Sequence, residues 1–175
     1  MWHVPYRNSD SDKELRIMAE EKKEDAQAPQ PPIFRLQKMY LKDLSFENPE
    51  APDVFLAKGE PNVDVNLGLK HRKLETEDHY EVTLAITAKV TNSQTEKTLF
   101  IIEVEHAGVF LLKNIPEEHM APVLSVECAA LLFPFTRQII SQVSVDGGFI
   151  PFLMEPINFH ALYENSKRQK AAEQQ

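Results

Sequence analysis

The chain has 175 residues, enough for one domain with a substantial core and too few for two. Its 27 acidic and 19 basic side chains give a formal charge of -8, which speaks against the basic footprint that nucleic-acid binding uses and fits a soluble protein or one with a basic partner. The single cysteine, Cys128, excludes an intrachain disulfide and fits a reducing cytosol.

Residues 1–32 are polar and charged and end in "APQPP", the composition of a disordered extension. Within it "MAEEKKEDAQ" has the form of a natural start, so Met18 is expected to be the true initiator and 1–17 upstream of it. The first 25 residues lack an apolar h-region, and the longest uninterrupted apolar run, "CAALLFPF" at 128–135, falls far short of the ~18 residues of a membrane span. The expected location is therefore the cytoplasm, without direct insertion into a membrane.

The folded domain is expected over 33–165. "IFRLQKMYLKDLSF" (33–46) offers a first strand. Its even positions carry Phe34, Leu36, Tyr40, Leu44 and Phe46, while odd positions mix Met39 and Leu41 with Arg35, Gln37 and Asp43. The following stretch, "FENPEAPDVFLAKGEPNV", contains Pro49, Pro52 and Pro61 and reads as a loop, yet Val54, Phe55 and Leu56 sit in its middle. Val63, Val65, Leu67 and Leu69 then alternate with Asp64, Asn66, Gly68 and Lys70 in a second strand. After the charged connector "KHRKLETEDH", the residues Tyr80, Val82, Leu84, Ile86, Ala88 and Val90 repeat at period 2, and "TNSQTEK" turns the chain into "TLFIIEVEHAGVF". Short connections predict antiparallel pairing of strands two, three and four, with 47–61 long enough to carry the chain elsewhere in the sheet.

Beyond Val109 the period changes. Pro116, Glu117 and Glu118 open a helix in which Met120, Val123, Leu124, Cys128, Leu131, Leu132 and Phe135 recur at helical spacing. Pro134 is expected to break or kink it, with resumption through "TRQIISQV" and a stop at Asp146-Gly147-Gly148. "FIPFLMEPINF" (149–159) is a second proline-bearing apolar loop. Asn158 then caps a last helix with Phe159, Leu162 and Tyr163 on one face, before a polar tail at 166–175. Strands followed by helices argue an α+β fold.

Catalytic signatures are missing. The six histidines are scattered, no phosphate loop, zinc spacing or nucleophile elbow occurs, and Cys128 reads as a small buried thiol. Asp43 and Glu47 share parity on strand one, as do Glu103 and Glu105 on strand four. A glycosidase-like pair would need two carboxylates across a cleft with sugar-binding aromatics, which are lacking here; a solvated face and a docking face for a basic partner remain. The apolar loops hold Val54, Phe55 and Leu56, and Phe149, Ile150, Phe152, Leu153 and Met154. They fold back as lids on the core or line an adaptable hydrophobic groove.

"YLKDLSFENPEAP", "FIIEVEHAGVF", "LLFPFTRQII" and "PFLMEPINFHALY" resemble, in order and spacing, the protein-export chaperone family SecB over roughly residues 34–165. That resemblance implies a four-stranded antiparallel sheet with two helices packed on one face, assembled as a dimer of dimers, a homotetramer. It implies an ATP-independent holdase and no enzyme, with no cofactor or metal, that keeps preproteins unfolded and delivers them to the SecA motor. By the same resemblance a client groove falls on Phe46, Val54, Phe55, Leu56, Val65, Leu67, Phe149, Phe152, Met154, Phe159 and Tyr163. The SecA-binding surface falls on Asp43, Glu47, Ile101 and Glu103, which Glu105 would extend, and assembly or groove coupling on Ile102, Val104 and His106. For Ile102 and Val104 plain core packing competes with that role. The chain departs from the family where Ala129 follows Cys128, which would shift the helix break toward Pro134, and where Lys58-Gly59-Glu60 replaces an aromatic near the end of the first loop. Two other readings are a SecB-like chaperone controlling a toxin–antitoxin pair and a small-molecule enzyme that uses the carboxylate cluster.

Overall fold

The computed structural model describes residues 30–173, and the compact unit begins at Pro32. The expectations for Met18 and for most of the N-terminal extension lie outside the described residues. Four strands form one antiparallel sheet: β1 (Ile33–Glu47), β2 (Pro61–Lys73), β3 (His79–Asn92) and β4 (Thr98–Lys113). The spatial order is β1-β4-β3-β2. Strands two, three and four pair as the short turns predict, and residues 48–60 carry the chain from one edge of the sheet to the other. That crossover contains a short 3-10 turn, Asp53–Leu56.

One sheet face carries the core. Val82, Leu84, Ile86, Ala88 and Val90 of β3 and Ile102, Val104, Phe110 and Leu112 of β4 are buried there. The regular alternation expected along β1 fails, because β1 bulges between Leu36 and Lys38 and again between Leu41 and Asp43. Each bulge inserts one residue and flips the parity that follows. Leu36, Met39, Leu41, Leu44 and Phe46 consequently share the core face. Tyr40, grouped with them by even numbering, lies on the outer face and donates its hydroxyl to Glu81. The two inserted residues, Gln37 and Lys42, make side-chain bonds to His79 and Glu81.

The first helix, α1, runs without interruption over Glu117–Asp146. Pro116 precedes it and Glu117 and Glu118 occupy its first turn, as the sequence predicts. Its α-helical part up to Pro122 widens into a π-helical segment, Val123–Glu127, before α-helix resumes over Cys128–Asp146. Proline removes an intrahelical donor, and the widened turn immediately follows Pro122. The expected break at Pro134 does not occur. Pro134 lacks the N–H that would bond the Ala130 carbonyl, but both residues are on the exposed side of α1, where water can satisfy that carbonyl. By length and composition α1 could cross a bilayer, yet it is a core helix: Leu124, Cys128, Leu132, Thr136 and Ile140 are buried against the sheet.

Gly147 and Gly148 end α1, the latter at φ 86°. An irregular apolar segment, 149–158, leads to the second helix, α2 (Phe159–Glu173). The Ala161 N–H donates to Asn158 Oδ1 at 3.0 Å, which is the expected N-cap. The helix extends through most of the segment read as a polar tail.

Candidate functional site

Both apolar loops converge on a cluster of phenylalanines. Phe149 stands 4.7 Å from Phe100, 5.3 Å from Phe55 and 6.5 Å from Phe46 between ring centroids, and Phe152 is 6.3 Å from Phe100. The backbone geometry makes room for it. A Cβ on Gly147 would come within 2.2 Å of the Phe46 ring, so any larger residue there would have to push that ring aside. Ser144, fully buried in α1, accepts the Phe152 N–H at 2.9 Å and ties the second loop to the helix. On the first loop, Lys97 pairs with Glu50 at 2.7 Å and Asn92 donates to the Lys58 carbonyl at 3.0 Å.

Within each loop the side chains divide between core and solvent. Val54 and Met154 are 9% and 6% exposed and pack inward. Leu56 at 86%, Ile150 at 82% and Leu153 at 65% face outward, and Phe55 is half exposed. Lid and groove are therefore not exclusive: alternate residues of the same short segment do each. Ile150 and Leu153 are the outward residues that the resemblance did not single out, although their place in an apolar, proline-interrupted run was the available signal.

A second apolar region extends along the β2 edge. Val63, Val65, Leu67 and Leu69 lie on the core face of β2, in register with Val90, Ala88, Ile86 and Leu84. Val63 and Val65 stay exposed, whereas Leu67 and Leu69 enter a cavity of about 540 Å³ that α2 closes with Phe159, Leu162 and Tyr163. Leu67, Phe159 and Tyr163 thus line one cavity, and Phe46 belongs to the phenylalanine cluster. Val63 stands beside Val90 in the sheet, and the next strand places Phe100 in register with Val90. An apolar strip hence runs from the phenylalanine cluster down the β2 edge to α2. At that edge the backbone of β2 has β3 as its one strand neighbour.

The opposite sheet face is mostly polar. Asp43, Glu47, Ile101, Glu103 and Glu105 share it, because Asp43 pairs with Glu105 and Glu47 with Ile101 after the second bulge. Ile102, Val104 and His106 take the alternate positions of β4 and lie beneath α1, all buried. His106 Nδ1 is 2.9 Å from Thr136 Oγ1, and the Thr136 hydroxyl donates to the Leu132 carbonyl at 3.1 Å. With that hydroxyl proton committed, the imidazole donates Nδ1–H to Thr136, and burial pushes its pKa down.

The outer face also holds an unexpected buried acid. Glu81, 3% exposed, accepts bonds from Tyr40, Arg72 and Lys42, which arrive from β1 and β2 on either side. Hydrogen bonding to Tyr40 leads the causes that lower its carboxyl to about 2, and burial raises the Tyr40 phenol to about 12. Cys128 is fully buried in α1, and desolvation pushes its thiol up to about 12, the reverse of what a nucleophile needs. Among the described residues no group of three or more His, Cys, Asp or Glu side chains is placed to hold a metal ion.

Residues 26–170 match the family model for SecB, described as preprotein translocase subunit SecB. A protein-export protein SecB from Desulfotalea psychrophila is 63% identical over 140 residues, 79% of this chain and 89% of that relative. Another from Magnetococcus marinus is 45% identical over 151 residues, 86% of this chain and 95% of the relative. Among solved structures, a Mycobacterium tuberculosis SecB-like chaperone in complex with a ChAD peptide from the HigA1 antitoxin has a TM-score of 0.61. It is 14% identical, covering 71% of this chain and 91% of that one, a likeness of fold.

Proposed function

The chain belongs to the SecB family of protein-export chaperones, and we propose that its two sheet faces divide that task between client and motor. The helix-side strip holds unfolded preproteins in the cytoplasm without ATP, and the outer face docks SecA. The observation that carries this reading is the apolar strip itself, from the phenylalanine cluster along Val63 and Val65 to Phe159 and Tyr163. An unfolded chain offers apolar side chains in no fixed order and unpaired backbone groups. The strip supplies contacts of about 1.5–3 kcal/mol for each large side chain buried, and the β2 edge supplies backbone donors and acceptors for an added strand. Many weak contacts of this kind accumulate without a sequence motif.

Phe55, Leu56, Ile150, Phe152 and Leu153 form the mobile-chain contacts of the upper groove, while Val54 and Met154 anchor their loops inward. Asp43, Glu47, Ile101 and Glu103 receive a basic element of SecA, with Ile101 as the apolar contact beside Glu47. Ile102, Val104 and His106 couple the two faces, since they alternate on one strand with the docking residues and bear on α1. Assembly is a dimer of dimers. Leu41 and Leu44 of β1 and Leu131 and Phe135 of α1 are exposed apolar side chains, and a cavity of about 510 Å³ opens between Leu41 and Phe135. Control of a toxin–antitoxin pair draws no support, because the neighbour that carries an antitoxin peptide shares the fold at 14% identity.

The test separates the faces. Changing Leu56, Ile150 and Leu153 together to serine is expected to weaken capture of an unfolded preprotein at least tenfold with an unchanged melting temperature, because these side chains are mostly exposed. Asp43→Lys with Glu103→Lys is expected to lose SecA affinity in a salt-dependent way and to keep client capture. Parallel loss of both functions in either variant would refute the division of faces.

A further inference from the structure

The outer sheet face carries two signs of charge, sorted by position along the strands. Around Glu81 stand Lys38, Lys42, Lys70 and Arg72. Farther along the same face stand Asp43, Glu47, Asp64, Glu103 and Glu105, with Lys89 set between Asp64 and Ile101 as a base among them. Between them the surface is floored by small residues: Ala107 pairs with Thr83, Glu105 with Ala85, and Ala85 with Gly68. The boundary is bridged by one ion pair, Lys70 to Glu105 at 3.3 Å. Acidity is the default for a chain with 27 acids and 19 bases, so a basic field concentrated here runs against composition. Glu81 does not cancel it, since one carboxylate is surrounded by Lys42 and Arg72 and is itself buried. Arg72 meets Glu81 through Nε, and its side chain remains two-thirds exposed, at 67%. Lys38 is exposed, and Lys70 is 75% exposed. A shallow cavity of about 150 Å³ opens among Lys42, Lys70, Arg72, Glu81, Thr83 and Glu105.

We propose that the outer face is a two-sign docking surface, whose basic half takes an acidic group of the same partner segment that places its basic residues on Asp43, Glu47 and Glu103. The proposal rests on the reading of this face as the SecA site and adds a second requirement to it. In register, Glu81 stands beside Val109, and Glu103 lies six residues farther along β4. At roughly 3.3 Å per residue the Glu81 and Glu103 levels lie about 20 Å apart, and the two halves meet between them at Lys70 and Glu105. The partner segment that fits is therefore an extended or helical stretch with a basic end and an acidic end at that separation. A surface of one sign would attract a basic segment in any orientation; a surface of two signs also selects its direction, since the reversed segment meets like charge at both ends.

The experiment is a calorimetric titration of SecA into three forms of the full chain: wild type, Lys38→Glu with Lys70→Glu, and Asp43→Lys with Glu103→Lys. Attraction to a purely basic partner predicts that the first variant, now more acidic, binds as well as wild type or more tightly. The two-sign surface predicts the opposite, a loss of roughly tenfold that shrinks as salt is raised. Lys38→Gln gives a second, milder readout that leaves the Lys70–Glu105 pair and the Glu81 cluster untouched; it is expected to lose a few-fold. Equal or tighter binding by the two basic-half variants, with loss in the acidic-half variant, overturns the two-sign proposal and leaves the docking face standing. Wild-type affinity in the acidic-half variant, or no SecA binding by wild type, overturns the docking face and this proposal with it.

Discussion

At the scale of single residues, burial decides what each polar group can do. His106 shows this most directly. It sits buried beneath α1, hydrogen-bonded to Thr136. Burial lowers its pKa, so the neutral ring is the folded form. The sign follows: a histidine whose folded pKa lies below its ordinary 6.5 lends stability that is complete above that value and is lost as pH falls through the folded pKa. The melting temperature is expected to fall between pH 7 and pH 5, and to fall less in His106→Gln. Thermal melts across that range check this, and identical pH profiles for the two proteins would refute it. Glu81 illustrates what one-dimensional reading misses. In the sequence it is one acid in "DHYEVT", and its buried site exists because Tyr40, Lys42 and Arg72 come from two other strands.

At the scale of elements, periodicity was legible wherever a strand was regular. Val63 to Leu69 and Val82 to Val90 alternate in the sequence and alternate in the sheet. It failed in β1, where the two bulges reverse parity twice within 11 residues, from Leu36 to Phe46. The mixture of Met39 and Leu41 with charged odd positions was the trace of those bulges. Pro134 failed for a different reason. A proline stops a helix when the freed carbonyl has no partner, but on the solvent side of a packed helix water supplies one, and the core face of α1 holds the axis. The second loop depends on Ser144, which no motif announces. Ser144→Ala leaves the Phe152 amide without its acceptor, at an expected cost of about 1–3 kcal/mol. Hydrogen exchange should then speed up at 149–154 well before the sheet amides, and an unchanged Phe152 exchange rate would show that the loop is held elsewhere.

At the scale of the whole molecule, the strand order explains how the two proposed surfaces fit in so small a unit. The crossover 48–60 sends β2 to the far edge, so β1 and β2 are both edge strands. One edge lies beside the apolar strip, and the other lies beside the exposed apolar residues Leu41, Leu44, Leu131 and Phe135. Exposed edges and apolar patches are normally covered by a partner. Light scattering at micromolar concentration is expected to give the mass of a tetramer for the wild type. Leu41→Lys with Phe135→Glu is expected to give a smaller species that keeps its circular dichroism. A wild-type monomer would exclude the proposed assembly.

The sequence by itself determined the elements, their faces in regular strands, and membership of the chaperone family, because alternation, capping residues and long matched segments are local properties of the chain. Asp43 with Glu47, and Glu103 with Glu105, could each be assigned to one face of their own strand for the same reason, and register then set the two pairs side by side. Tertiary structure alone decided which residues of the two apolar loops face inward, because Val54 and Leu56 are chemically alike and differ in what packs over them. It also decided the gathering of Lys42, Arg72 and Tyr40 around Glu81, and with it the basic half of the outer face. Charges sort into a field through strand order and register, and neither is carried by any one segment of the chain.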